Sequence, residues 1–311
     1  MFYTFLDLAS PVKHLRLFDS LRRVQLGGTP GDSCFHILEL TAARDSQSIF
    51  RLDKVNGKVY RIDIHRKQFR TVFECGMSYS IFDFLYIFPG NSTEKETLAI
   101  LIKSKCMPGC EIWLLEEGLE MKLQVRDGCA LNGNIASMWE GKLLKMLSGV
   151  AVIKCENSIL HVWRYGESEA LQFLISDAEC PYSGICVMEN VLGRRELIAL
   201  AIRNNNSIGF FALEPSGLLK VRQVQLDSTP CSLLWIASKG TLLIGENKGN
   251  KEELSALRVS ERELTKCKVT IDGKHNSYAN SWCVLPDMSG NEKAIAIFDY
   301  ESDSVKLFAL A

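Results

Sequence analysis

Apolar residues along this 311-residue chain come in short runs, dense or alternating, broken by Gly, Asn, Asp, Ser and Pro. "GKVYRIDI" (57–64), "SILHVWRY" (158–165) and "SIGFFALE" (207–214) are examples. Alternation at period two is what a half-buried strand requires, and the interrupting residues are turn formers. Long stripes at helical period are nearly absent. One segment, "KEELSALRVSERELTK" (251–266), would also suit an amphipathic helix, but its place in the series of strands favours strand.

The runs repeat. "SLRRVQLGGTP" (20–30) returns as "KVRQVQLDSTP" (220–230): Arg22, Val24, Gln25, Leu26, Thr29 and Pro30 recur 200 positions on. Runs that end before a turn close at positions 26, 74, 125, 175, 226 and 271, in steps of 48, 51, 50, 51 and 45. A second series agrees: "ETLAILI" from Glu96, "ELIALAI" from Glu196 and the looser "EKAIAIF" (292–298). A period near 50 with about four strands per unit is the pattern of a β-propeller, whose blades stack face to face and so carry dense apolar strands. A pair of β-sandwiches would explain the short strands but not the period. A helical solenoid is excluded by the period-two alternation.

The reading is therefore an all-β chain forming a single β-propeller, with six blades, and seven as the alternative. Blades are expected at about 34–75, 76–126, 128–177, 179–226, 228–271 and 278–311. The last segment offers only three strands. The missing outer strand is expected at 21–26, where the opening phrase stands without strands before it, so the two ends of the chain would pair and remove a free edge. Residues 1–19 would lie outside the blades as an extension or cap, and the propeller would span 20–311.

This strand grammar resembles the WD40-like β-propeller superfamily over about residues 20–311, and the resemblance is architectural. Trp113 in "EIWLLE" and Trp163 in "HVWRYG" stand roughly where a WD40 blade carries its Trp, but no Trp-Asp or Gly-His pair is present. Kelch repeats share the period and need a Gly-Gly pair in each blade, whereas only Gly27–Gly28 occurs here. "DMSGNEKAIAIFDY" (287–300) faintly resembles integrin-type propeller repeats without their acidic calcium ligands.

Composition adds bounds. With 47% apolar and 23% charged residues and a net charge of −1, the chain reads as globular and lacks a global basic field for nucleic acid. The start, "MFYTFLDLAS", has no basic region followed by a long apolar one, and no apolar run reaches membrane-spanning length. Eleven scattered cysteines in such a chain read as reduced thiols, which points to the cytoplasm or nucleus.

Candidate chemistry is sparse. Neither a P-loop nor a dinucleotide fingerprint is present, and "GENKGNKE" (245–252) reads as a hairpin turn. Cys106 and Cys110 form a C-x₃-C pair without the second pair that a zinc site needs, so no metal or cofactor is expected. Cys34, Cys186, Cys231 and Cys283 fall on expected innermost strands, where blades converge and small side chains pack. The five histidines do not recur at blade spacing, and there is no nucleophile elbow. Asp83 and Glu189 are the exceptional carboxylates of the inner strands. No catalytic residue is assigned. The one candidate contact is "HRKQFR": His65, Arg66, Lys67 and Arg70 around Phe69, between the third and fourth strands of blade one, suited to nucleic acid, an acidic partner or anionic lipid. Trp139, Trp235 and Trp282, on or near first strands, read as core.

The expectation is a non-catalytic protein-interaction scaffold, a dedicated subunit of a complex such as those of chromatin and DNA repair, trafficking or signalling. The alternatives are a propeller hydrolase or lyase with a loop-built site, and a subunit touching nucleic acid through 65–70. Other proteins are the expected partners, without membrane insertion or an evident small-molecule substrate.

Overall fold

The structure is a computed structural model that describes residues 24–25, 39–42, 48–53, 56–63, 66, 68–87, 97–104, 109–117, 122–131, 141–167, 169–175, 180, 184–248, 251–260, 263–268, 282–286, 292–299 and 304–309. The first strand, β1 (Val24–Gln25), has no partner near it in sequence. Five contiguous four-stranded sheets follow. They are β2 (Glu39–Ala42) to β5 (Gln68–Glu74) through β3 (Ser48–Asp53) and β4 (Lys58–Asp63), then β6 (Tyr79–Ile87), β7 (Thr97–Ser104), β8 (Cys110–Glu117) and β9 (Leu123–Leu131). The third holds β10 (Lys142–Met146), β11 (Gly149–Glu156), β12 (Ile159–Arg164) and β13 (Leu171–Leu174). The fourth holds β14 (Ile185–Val191), β15 (Arg194–Ile202), β16 (Ser207–Glu214) and β17 (Gly217–Gln225). The fifth holds β18 (Thr229–Ile236), β19 (Thr241–Lys248), β20 (Lys251–Val259) and β21 (Leu264–Lys268). The chain closes on β22 (Trp282–Pro286), β23 (Glu292–Asp299) and β24 (Ser304–Ala309), and β1 joins this last sheet beside β24. The segment 251–266 is strand, in β20 and β21.

The innermost strands β2, β6, β10, β14, β18 and β22 each pack beside the next, and β22 packs beside β2, so the sheets form a closed ring. The core lies between sheets rather than within one. Leu98, Ile100 and Ile102 of β7 pack on the first sheet, while Ala99 and Leu101 pack against Val150 and Val152 of the third. β15 behaves alike: Leu197, Ala199 and Ala201 face the fifth sheet, and Ile198, Leu200 and Ile202 face the third. Burial on both faces explains why these strands read as unbroken apolar runs.

The blade count departs from the expectation of six or seven. Five blades are complete runs of four consecutive strands, whereas the remaining sheet is composite and is closed by Val24–Gln25, the described part of the expected strand over 21–26. No seventh sheet is present among the described residues. The second blade also runs on to Leu131 rather than ending at 126. "RDG" looked like a turn, but β9 absorbs a bulge opposite Leu114/Leu115 and continues to pair Gly128 with Trp113. A Cβ on Gly128 would meet the Trp113 ring at 3.1 Å, so glycine is what lets the strand pass. The expected extension at 1–19 lies outside the described residues.

The repeated phrase occupies the same register in both places. In the fourth sheet Val224 faces Ile208 and Gln225 faces Ser207; in the composite sheet Val24 faces Val305 and Gln25 faces Ser304. The second copy shows what the phrase does. The Leu226 N–H donates to the Asn206 carbonyl (2.7 Å), Gln225 Nε2 donates to the Asn205 carbonyl (2.5 Å), and the Thr229 hydroxyl donates to Asn206 Oδ1 (2.9 Å). The outer strand is thereby tied to the turn between the second and third strands before the chain enters the next blade. Cys75 N–H to the Gly57 carbonyl (2.9 Å) and Ile175 N–H to the Ser158 carbonyl (2.7 Å) repeat the tie in the first and third blades. Gly57 (φ +61°), Ser158 (φ 63°) and Asn206 (φ 49°) are left-handed, as these turns require.

Candidate interaction surface

Several charged residues of the inner two strands are engaged by the frame itself, while Lys145 on β10 and Glu189 on β14 are exposed. Asp83 on β6 is buried and accepts the N–H of Phe84 (2.7 Å) and that of Leu143 on the neighbouring β10. Lys142 on β10 donates from Nζ to the Ile185 carbonyl of β14 (2.9 Å). Glu196 of β15 accepts the Leu147 N–H from the β10–β11 turn, and Glu292 of β23 accepts the Ala237 (3.0 Å) and Ser238 (2.6 Å) N–H groups from the β18–β19 turn. These two glutamates do the same thing from equivalent places: each latches a second strand to the first turn of the preceding blade. Glu196 lies opposite Glu189, and burial holds its carboxyl above the ordinary range. Buried Glu246 accepts the hydroxyls of Ser228 and Ser255. Lys154, also buried, donates to Glu156 Oε2 (2.7 Å), and His161 across from it stacks on Trp163, its pKa lowered by burial and then by Lys154.

The thiols are equally quiet. Burial pushes Cys110 up to about 11 and Cys186 and Cys283 up to about 12, so they stay protonated near neutral pH. Cys231 is half-buried and donates weakly to the Thr229 carbonyl (3.6 Å), while Cys34 and Cys106 lie outside the described residues. No group of three or more His, Cys, Asp or Glu gathers in metal-binding geometry among the described residues. Trp163 and Trp282 are buried, Trp235 is packed between the fourth and fifth blades, and Trp113 donates to Glu111 Oε2 (2.6 Å). Trp139 lies outside the described residues.

The basic cluster is split. Arg66 sits at the tip of the β4–β5 hairpin with its side chain 78% exposed, its N–H on Asp63 Oδ1 (2.8 Å) and its guanidinium 3.8 Å from Asp63 Oδ2. Arg70 is exposed on β5 opposite Arg61, which lies over the Phe50 ring and 3.6 Å from Glu117. Carboxylates are thus interleaved with the cations. His65 and Lys67 lie outside the described residues; Phe69 is on β5, and its side chain is likewise outside them.

Apolar side chains on the outside carried no sequence signal. Val125 on β9, Leu171 and Leu174 on β13 and Leu219 on β17 are exposed on the outer strands of three successive blades. Leu174 is the most open of the four at 82%. A leucine in a period-two run reads as core whichever way its strand's edge faces.

No protein-family model matches the chain, and no curated protein matches it in sequence. Solved structures do. The Malassezia sympodialis allergen Mala s 1 superposes with a TM-score of 0.58 at 8% identity, over 87% of this chain and 91% of that one. A chain of the Mitotic Checkpoint Complex gives 0.54 at 13% identity, over 91% and 95%. The β-propeller domain of Myceliophteria thermophila Cps50 (Swd1) gives 0.53 at 10% identity, over 88% and 82%. The fold is that of a β-propeller. At such identities the likeness carries the fold alone. No helix among the described residues of this propeller is long and apolar enough to cross a membrane.

Proposed function

We propose that this propeller is a non-catalytic scaffold, a subunit that holds other proteins in a complex inside the cell. The carrying observation is the engagement of carboxylates, two buried and two half-buried, by the frame. Asp83, Glu196, Glu246 and Glu292 all accept hydrogen bonds that tie the frame together, which leaves them poorly placed for acid–base work. What faces outward is aliphatic and mixed-charge surface, the material of protein contacts. The Mitotic Checkpoint Complex neighbour suits the same reading. We further propose that the composite sheet acts as a sixth blade, because β1 takes on β24 the register that β17 takes on β16.

The test is affinity purification of the tagged full chain with mass spectrometry, followed by gel filtration of the eluate. A defined set of proteins co-eluting with the propeller is expected. Elution at the monomer's mass with no partner would overturn the scaffold reading.

A further inference from the structure

We infer that the outer edge of the third blade, β13, is a docking edge that accepts an extended, apolar peptide segment with basic flanks, added as a fifth strand. The inference rests on the scaffold reading and names the kind of partner that such a scaffold would take.

Outer strands of a propeller present an unpaired row of backbone groups, and proteins normally blunt such rows with charge, bulges or brevity. Four of the five contiguous blades use charge, three of them with a bulge as well, whereas β13 is short, at four residues, but uncharged. β5 carries Arg70 and Glu74 and sits beside a bulge at Val59/Tyr60. β9 carries Arg126 and Asp127 and faces a bulge at Leu114/Leu115. β17 carries Lys220 and Arg222 and faces a bulge at Phe210/Phe211. β21 carries Lys266 and Lys268. β13 reads Leu-Gln-Phe-Leu: it has no charge, and its pairing with β12 runs from Val162↔Leu171 to Ile159↔Leu174 without a break. Among the described residues its sheet ends there, with Leu171 36% and Leu174 82% exposed.

Both sides of this open strand are acidic in sequence. Glu167 and Glu169 precede it, Asp177 and Glu179 follow it, and no Lys or Arg lies between Glu167 and Glu179. Glu169 is exposed, and Glu167 lies 3.6 Å from Arg164. A strand added here would gain backbone hydrogen bonds and cover Leu174 on one face and Leu171 on the other. A lysine or arginine at the end beside Leu171 would meet exposed Glu169, and the sequence beyond Leu174 is acidic as well. A second copy of this chain is disfavoured as the occupant, because antiparallel pairing of β13 with itself would bring acidic flank against acidic flank.

The experiment uses the full chain and a fluorescein-labelled peptide with a Val-Thr-Val-Thr-Val core and two lysines at each end, read by fluorescence anisotropy. Saturable binding is expected. It should weaken at least about tenfold in Leu174→Lys, which places the missing charge on the edge, and be little changed in Leu219→Lys on β17. A peptide N-methylated at alternate core residues should not bind, and one with glutamates at its ends should bind far more weakly. Equal binding by wild type and Leu174→Lys, or by the methylated peptide, overturns the docking edge. A concentration-dependent dimer in sedimentation that Leu174→Lys dissolves overturns it in favour of self-association. If co-purifying partners persist unchanged in Leu174→Lys, the edge fails and the scaffold reading stands; if the wild type has no partners at all, that reading fails first.

Discussion

The fourth blade and the composite sheet are built from the same phrase in the same register, yet they are held together by different lengths of chain. β17 follows β16 through a turn at 215–216, so pairing Gln225 with Ser207 closes a short loop. β1 reaches β24 across almost the whole sequence, so pairing Gln25 with Ser304 closes a loop of nearly the entire chain. The local hydrogen-bonding pattern is alike and the entropy of reaching it is not. The blade's own stability is local; the composite sheet's belongs to the ring.

The largest expected effect follows from that difference. Deleting residues 1–26 should strip β24 of its outer partner and expose its edge, with gross destabilisation or aggregation. A truncated protein as stable and monomeric as the full chain, by calorimetry and sedimentation, would refute the closure. Next in size is a covalent lock. Gln25→Cys with Ser304→Cys should raise stability to denaturant by about 5 kcal/mol, and Gln225→Cys with Ser207→Cys by about 3 kcal/mol, if loop entropy governs. Equal gains would erase the distinction between the two sheets.

Leu226 is buried at the end of the repeated phrase, and Leu226→Ala should cost about 2–5 kcal/mol. Leu26→Ala should cost a similar amount if the first copy is used as the second is; a neutral Leu26→Ala in chemical denaturation would break the equivalence. Smaller still, Thr229→Val removes the hydroxyl bond to Asn206 and should cost about 1 kcal/mol, with Thr29→Val as its counterpart.

The smallest effect is one of pH. Burial raises the Glu196 carboxyl, so the folded chain binds more protons than the unfolded one between the ordinary carboxyl value of 4.5 and the raised one. This group's contribution therefore falls as pH rises through that window and is flat on either side. Glu196→Gln should flatten that shallow slope in melting temperature against pH, and an unchanged slope would mean that Glu196 is not its source.

Much of the fold was legible because its signals are local. Alternation gave the strands, and the Gly, Asn and Ser of the turns are where left-handed backbone is needed, at Gly57, Ser158 and Asn206. Even the latch was half visible: Glu96, Glu196 and Glu292 begin the same apolar series. Its role was not, because Glu196 meets Leu147 and Glu292 meets Ser238 across blade boundaries that no local pattern encodes. β9 runs past the expected boundary at 126 because its pairing with β8 continues beyond a bulge, with Gly128 close against the Trp113 ring. The basic cluster was legible as residues, and so was Asp63 three positions before Arg66; Glu117, which reaches Arg61 beside it, comes from the fold. The open edge of β13 was illegible for a related reason: its leucines follow the alternation of any buried strand.

The position of β1 sets an order on biosynthesis. A ribosome produces Val24–Gln25 on the order of tens of seconds before Ser304–Val305, to which they pair. Throughout that interval the first strand has no ladder to join. A nascent chain that stalls or is cut anywhere upstream of β24 leaves that first strand unmatched and the last sheet without its closure.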